Sequence, residues 1–126
     1  MAKDDYDVII FKILVYLYAL LKGKEIFDQD KYNKAISRKS INEEYLIRIY
    51  KMMSDDGLIE ELHFKKAWGQ DLIPLFDEKD MIITSKGVHY LQENSKMKEV
   101  KDFILDKTTD VIANLVIATG LNIICR

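Results

Sequence analysis

The stretch SINEEYLIRIYKMMSDDGLIE, Ser40 to Glu60, decides the fold. Ser40-Ile41-Asn42-Glu43 matches a capping box, with Ser40 as the cap and Glu43 reaching back to it. Gly57 supplies the stop, since glycine enters the left-handed conformation that ends helices. A helix is therefore expected from Ile41 to about Asp56. At 100° per residue, Ile41, Tyr45, Leu46, Ile49, Met52 and Met53 share its inner face. Glu43, Glu44, Ile47, Tyr50, Lys51 and Ser54 face outward, with Arg48 on the flank.

Reading forward, Leu58 to Phe64 alternates as a strand does. Lys65 to Asp80 holds Gly69, Pro74 and mixed charges and reads as a long loop, followed by a short strand Met81-Ile82-Ile83. Thr84 caps a helix from Ser85 to Asn94, with Val88, Tyr90 and Leu91 on its buried side. Reading backward, Ser37-Arg38-Lys39 is a polar turn. A short helix capped by Asp28 or Asp30 precedes it and ends near Ile36.

The N-terminal segment from Asp5 to Lys22 is apolar around most of its circumference and stops at Lys22-Gly23-Lys24. Such a helix is covered on more than one side. Lys96 to Thr119 is again helical, with Met97, Val100, Ile104, Val111, Leu115 and Ala118 three or four apart. Lys107-Thr108-Thr109-Asp110 is the place where it would split, and Gly120 ends it. The expected class is mainly α with a small β-hairpin, a winged helix-turn-helix over residues 1–94. A C-terminal helical extension, residues 95–126, packs on the first helix or on a dimer partner.

Three local signatures carry a resemblance. They are the Ser40-x-x-Glu43 start, the Met53-Ser54-Asp55-Asp56-Gly57-Leu58-Ile59 turn into a wing, and Ile83-Thr84-Ser85-Lys86-Gly87-Val88-His89-Tyr90-Leu91. With the element order, they make residues 5–94 resemble the YjcQ-like family of small winged-helix proteins from Gram-positive bacteria and their phages. The resemblance implies the winged-helix fold and a DNA-binding role, as a transcriptional regulator or phage-associated accessory factor. It leaves the apolar C-terminal segment unassigned.

Double-stranded DNA would meet the exposed face of the Ile41–Asp56 helix. Arg38, Lys39, Arg48 and Lys51 are the candidate main contacts, with Lys65 and Lys66 on the wing; Lys31 and Lys34 are further basic side chains before the helix. Eight basic and six acidic residues fall between Lys31 and Lys66, whereas the whole chain has a formal net charge of −2. Two features oppose DNA. Glu43 and Glu44 lead the reading helix and repel phosphate, and Ile47 and Tyr50 point outward as apolar contacts do at protein interfaces. The competing function is thus a protein-interaction module using Ile47, Tyr50 and Trp68. Trp68 either stacks at a partner or packs the wing onto the body, and packing is the favoured reading. The blandest reading of the lysines is that they keep the surface soluble.

No catalytic constellation is legible, so the chain is not expected to be an enzyme. His63 and His89 lack metal-ligand spacing, the acidic pairs are adjacent and diverge, and the five glycines form no phosphate loop. No metal or other cofactor is expected. The single cysteine, Cys125, excludes an intramolecular disulfide and fits a reduced, cytoplasmic protein. Neither Val8–Leu21 nor Val111–Cys125 is long and apolar enough for a confident membrane span. A homodimer through the first and C-terminal helices would present two reading helices to a pseudo-palindromic site.

Overall fold

The computed structural model describes residues 2–66, 68–70, 72–106 and 111–122. Six helices and one antiparallel hairpin follow in order: α1 (Tyr6–Leu21), α2 (Gln29–Ala35), α3 (Glu43–Asp55), β1 (Phe64–Lys66), β2 (Leu72–Pro74), α4 (Ser85–Glu93), α5 (Ser95–Asp106) and α6 (Val111–Thr119). This is a mainly helical, winged-helix-like layout.

The apolar circumference of α1 has a direct consequence. Val8 to Leu17 and Ala19 are all buried, and α2, α3, α4, α5 and α6 each pack against this helix. Burying a large aliphatic side chain is worth roughly 1.5–3 kcal/mol, so α1 is the axle of the core. The C-terminal helices cover it within one chain. Lys22 Nζ, at the end of α1, donates to the Thr119 carbonyl at 2.7 Å, and Lys101 Nζ to the Leu121 carbonyl at 3.0 Å. Both cations sit where the carbonyls ending α6 point outward. The expected split at Lys107–Asp110, and Cys125, lie outside the described residues. In the C-terminal stripe Leu115 is buried but Ala118 is exposed, and Thr119 takes the buried position.

The cap of α3 differs from the sequence expectation. Asn42, not Ser40, holds it, its side-chain oxygen accepting from Glu44 N at 2.9 Å and Tyr45 N at 3.2 Å. Ser40 instead closes a 3-10 turn, Arg38–Ser40, entered through Ser37 in the left-handed conformation (φ 56°). Glu43 is freed from capping and pairs with Arg38. Asparagine caps as well as serine does, and two polar candidates two residues apart left the choice open to the geometry of the preceding turn.

The wing also lies further along than expected. Leu58–Leu62 is irregular, tied to α3 by Leu62 N donating to Ser54 Oγ at 2.9 Å. It is joined to the segment before α4 at the isolated bridge of Ile59 to Ile83, where Glu60 N donates to the Ile82 carbonyl at 2.9 Å and Thr84 N to the Leu58 carbonyl at 3.1 Å. The hairpin starts at Phe64, the last residue of the expected first strand, and otherwise forms inside the stretch read as loop, with Phe64 opposite Pro74, Lys65 opposite Ile73 and Lys66 opposite Leu72. Proline is tolerated because each strand of a two-stranded sheet has an open edge.

The junction after the wing is built as expected. Thr84 Oγ1 donates to the Gly57 carbonyl at 2.5 Å and accepts from Gly87 N at 3.0 Å. Gly87 lies so close to Leu58 that a Cβ there would stand 2.0 Å from its carbonyl oxygen.

Candidate nucleic-acid interface

Starting from α3, the side chains at its N-terminal end form a closed polar network. Arg38 Nε and Nη2 donate to the two carboxylate oxygens of Glu43 at 2.9 and 3.1 Å. Its Nη1 donates to Glu78 Oε1 at 2.6 Å and to Asn33 Oδ1 at 3.0 Å. Tyr50 Oη donates to the other Glu78 oxygen, and the hydroxyls of Tyr50 and Tyr32 are 2.7 Å apart. The Glu43 and Glu78 hydrogen bonds hold Arg38 protonated well above its ordinary range. Arg38 in turn pulls the Glu43 carboxyl below its usual value. Burial is the chief cause that pushes both the Tyr32 and Tyr50 hydroxyls up.

This network corrects two expectations. Arg38 is committed to two carboxylates and a side-chain amide, so it is not an open phosphate contact. Tyr50 is 3 % exposed, not outward, because Phe76 packs edge-on against its ring at a centroid distance of 5.8 Å. A helical wheel with one buried face misses it, since α3 is covered by α1 on one side and by β2 on another. Met52, placed inward on that wheel, is 39 % exposed.

The remaining expected contacts divide in the same way. Lys51 Nζ pairs with Asp55 at 2.8 Å one turn on. Arg48 is exposed on α3, and Ile47 is half-buried against Leu72 of β2. Lys39 is exposed just before α3; Lys65 and Lys66 are exposed on β1. Lys34, Lys39, Lys65 and Lys66 make no ion pair among the described residues. Lys66 stands opposite Leu72, which lines a small hollow with Ile47 and Arg48 of α3, whereas Lys65, opposite Ile73, is on the other face of the hairpin.

Trp68 is fully exposed at the wing tip, next to Gly69 in a left-handed turn (φ 83°). The expectation that it packs the wing onto the body is thereby overturned: a three-residue hairpin carries its tip too far from the core for the ring to reach it. Ile73 and Leu75 on the second strand side are also exposed. Sequence reading missed these two and Glu78. The signal was present in Leu72-Ile73-Pro74-Leu75-Phe76, a short continuous apolar run that fits a strand once Pro74 is accepted within it.

Between α3, the wing and the start of α2 lies a groove of about 600 Å³, walled by Phe27, Leu46, Pro74 and Phe76 and floored by the Arg38–Glu78 pair. Among the described residues no three His, Cys, Asp or Glu side chains come together as a metal ion requires. None of the described helices is long and apolar enough to cross a membrane.

The family described as YjcQ protein matches the chain over residues 11–106. No curated protein and no solved structure matches it.

Proposed function

This chain belongs to the YjcQ family, and on that premise we propose that it binds duplex DNA as a small winged-helix transcriptional regulator or phage-associated accessory factor. The observation that carries this reading is the placement of four lysines that make no ion pair among the described residues. Lys34 and Lys39 precede α3, and Lys65 and Lys66 follow it on the wing. A helix entering the major groove needs phosphate contacts on both flanks. The pairing of Arg38 with Glu43 also weakens the main objection, because one of the two acids at the head of α3 is neutralised. Arg48 and Glu44 are then the charged side chains exposed toward the bases. Arginine suits guanine and a carboxylate accepts from cytosine N4.

A second reading rests on a different observation. Trp68, Ile73 and Leu75 are exposed together on the wing, which suits a protein partner as well as a groove. A gel shift with sheared genomic duplex at two salt concentrations separates the two. DNA binding weakens steeply with salt, while a partner held by apolar contacts does not. The two-fold dimer is retained as a proposal on narrower grounds. The apolar surface of α1 is satisfied within the chain, so a dimer would use the exposed Leu21 and Ile117 instead.

A further inference from the structure

A second concavity, of about 270 Å³, opens between the N-terminal residues, the end of α2 and the turn before α3. Lys3, Asn33, Lys34, Ser37, Lys39 and Ser40 line it, together with one side of Arg38. Among the described residues no carboxylate lines it, whereas the groove beside the wing and two other hollows along α3 each include at least one. Lys3, Lys34 and Lys39 make no ion pair among the described residues.

The uncharged groups of this concavity are turned to donate. Asn33 Oδ1 accepts from Gln29 Nε2 at 2.9 Å and from Arg38 Nη1 at 3.0 Å. With the oxygen engaged on that side, the amide NH₂ is left for the opposite side. Ser37 Oγ accepts from Lys12 Nζ at 3.0 Å, so its own O–H is available to donate elsewhere. Lys12 is 2 % exposed, so this serine is supported by a buried donor. Ser37 itself is held in the left-handed conformation (φ 56°), which a non-glycine residue adopts at a cost.

We infer that this concavity is a phosphate-binding site, taking either a backbone diester of DNA or the phosphate of a free phosphorylated small molecule. Three ammonium groups, an amide NH₂ and two serine hydroxyls, with no competing carboxylate among the described residues of the lining, are the donor set that a tetrahedral oxyanion selects. The inference shares Lys34 and Lys39 with the DNA reading. It goes beyond that reading because a free phosphomonoester satisfies it without any duplex.

The test is an amide NMR titration of the full chain with inorganic phosphate at constant ionic strength, chloride serving as reference. Saturable shifts confined to the residues around Asn33 and Ser37–Ser40 are expected. Lys34→Ala with Lys39→Ala, both at exposed positions, should weaken binding roughly tenfold. Ser37→Ala should weaken it less and leave the fold intact by circular dichroism. Absence of saturation, or unchanged binding in the double variant, overturns the site. A parallel gel shift with duplex DNA identifies the source. Duplex binding that falls in the double variant and is displaced by phosphate assigns the site to the DNA backbone. Phosphate binding without duplex retardation assigns it to a free phosphorylated ligand and rejects the DNA reading alone. Duplex retardation without phosphate binding rejects the site alone.

Discussion

The Arg38 guanidinium donates to the Glu78 carboxylate across 2.6 Å, joining the turn before α3 to the segment after the wing. The pair is partly buried, with side-chain exposures of 25 % and 15 %. Its role is to lock the wing against α3, and the same carboxylate receives the Tyr50 hydroxyl.

Arg38→Ala is therefore expected to act on stability. It should cost about 2 kcal/mol, between the values for a surface pair and a buried one. Lys39→Ala, at the next position, should stay within about 0.5 kcal/mol. Urea melts of the two variants check the contrast. Equal stability would show that the Glu78 pair contributes nothing.

Gly87→Ala sets two effects against each other. Helix propensity favours alanine by up to about 1 kcal/mol. The 2.0 Å approach of the new Cβ to the Leu58 carbonyl oxygen opposes it, and backbone cannot step aside as a side-chain end can. The clash should win, with a net loss of about 2–3 kcal/mol. Thermal melts decide the sign.

Tyr32 and Tyr50 make the fold sensitive to alkali. Burial raises both hydroxyls above the ordinary value of 10.0. The unfolded chain therefore releases these protons first as pH rises. Their contribution to stability is fully present below pH 10 and declines above it. Stability measured from pH 8 to 11 should fall through the upper part of that range, and Tyr32→Phe should flatten the decline. An unchanged slope in the variant would remove Tyr32 as the cause.

Trp68 is the only tryptophan and is fully exposed. Its emission should match that of free tryptophan in water, with full accessibility to iodide. A blue-shifted, shielded emission in the isolated protein would contradict its place at the wing tip.

Much of this was legible in the sequence, and the failures share a cause. Gly57 and Thr84 act locally, through a stop and a cap, so their pattern can be read without the fold, whereas the close approach of Gly87 to Leu58 joins residues far apart in the chain. The apolar circumference of α1 likewise announced several neighbours, and α5 and α6 supply them. Tyr50, Arg38 and Trp68 were misjudged because their fates depend on residues far along the chain. Phe76 covers Tyr50, Glu78 captures Arg38, and the hairpin register carries Trp68 away from the body. No local pattern around residues 38–50 encodes those partners.

Lysines on both flanks of α3, Lys34 and Lys39 before it and Lys65 and Lys66 after it, are proposed to hold duplex DNA. The most direct measurement is the affinity for sheared genomic duplex as a function of salt, comparing wild type with Lys65→Ala/Lys66→Ala and with Lys51→Ala. A steep salt dependence is expected. In the wing double variant its log–log slope should shrink by about 0.9 for each phosphate that the protein no longer neutralises, while Lys51→Ala, already paired with Asp55, should change it little. No retardation at low salt, or a slope unchanged in the wing variant, would contradict it.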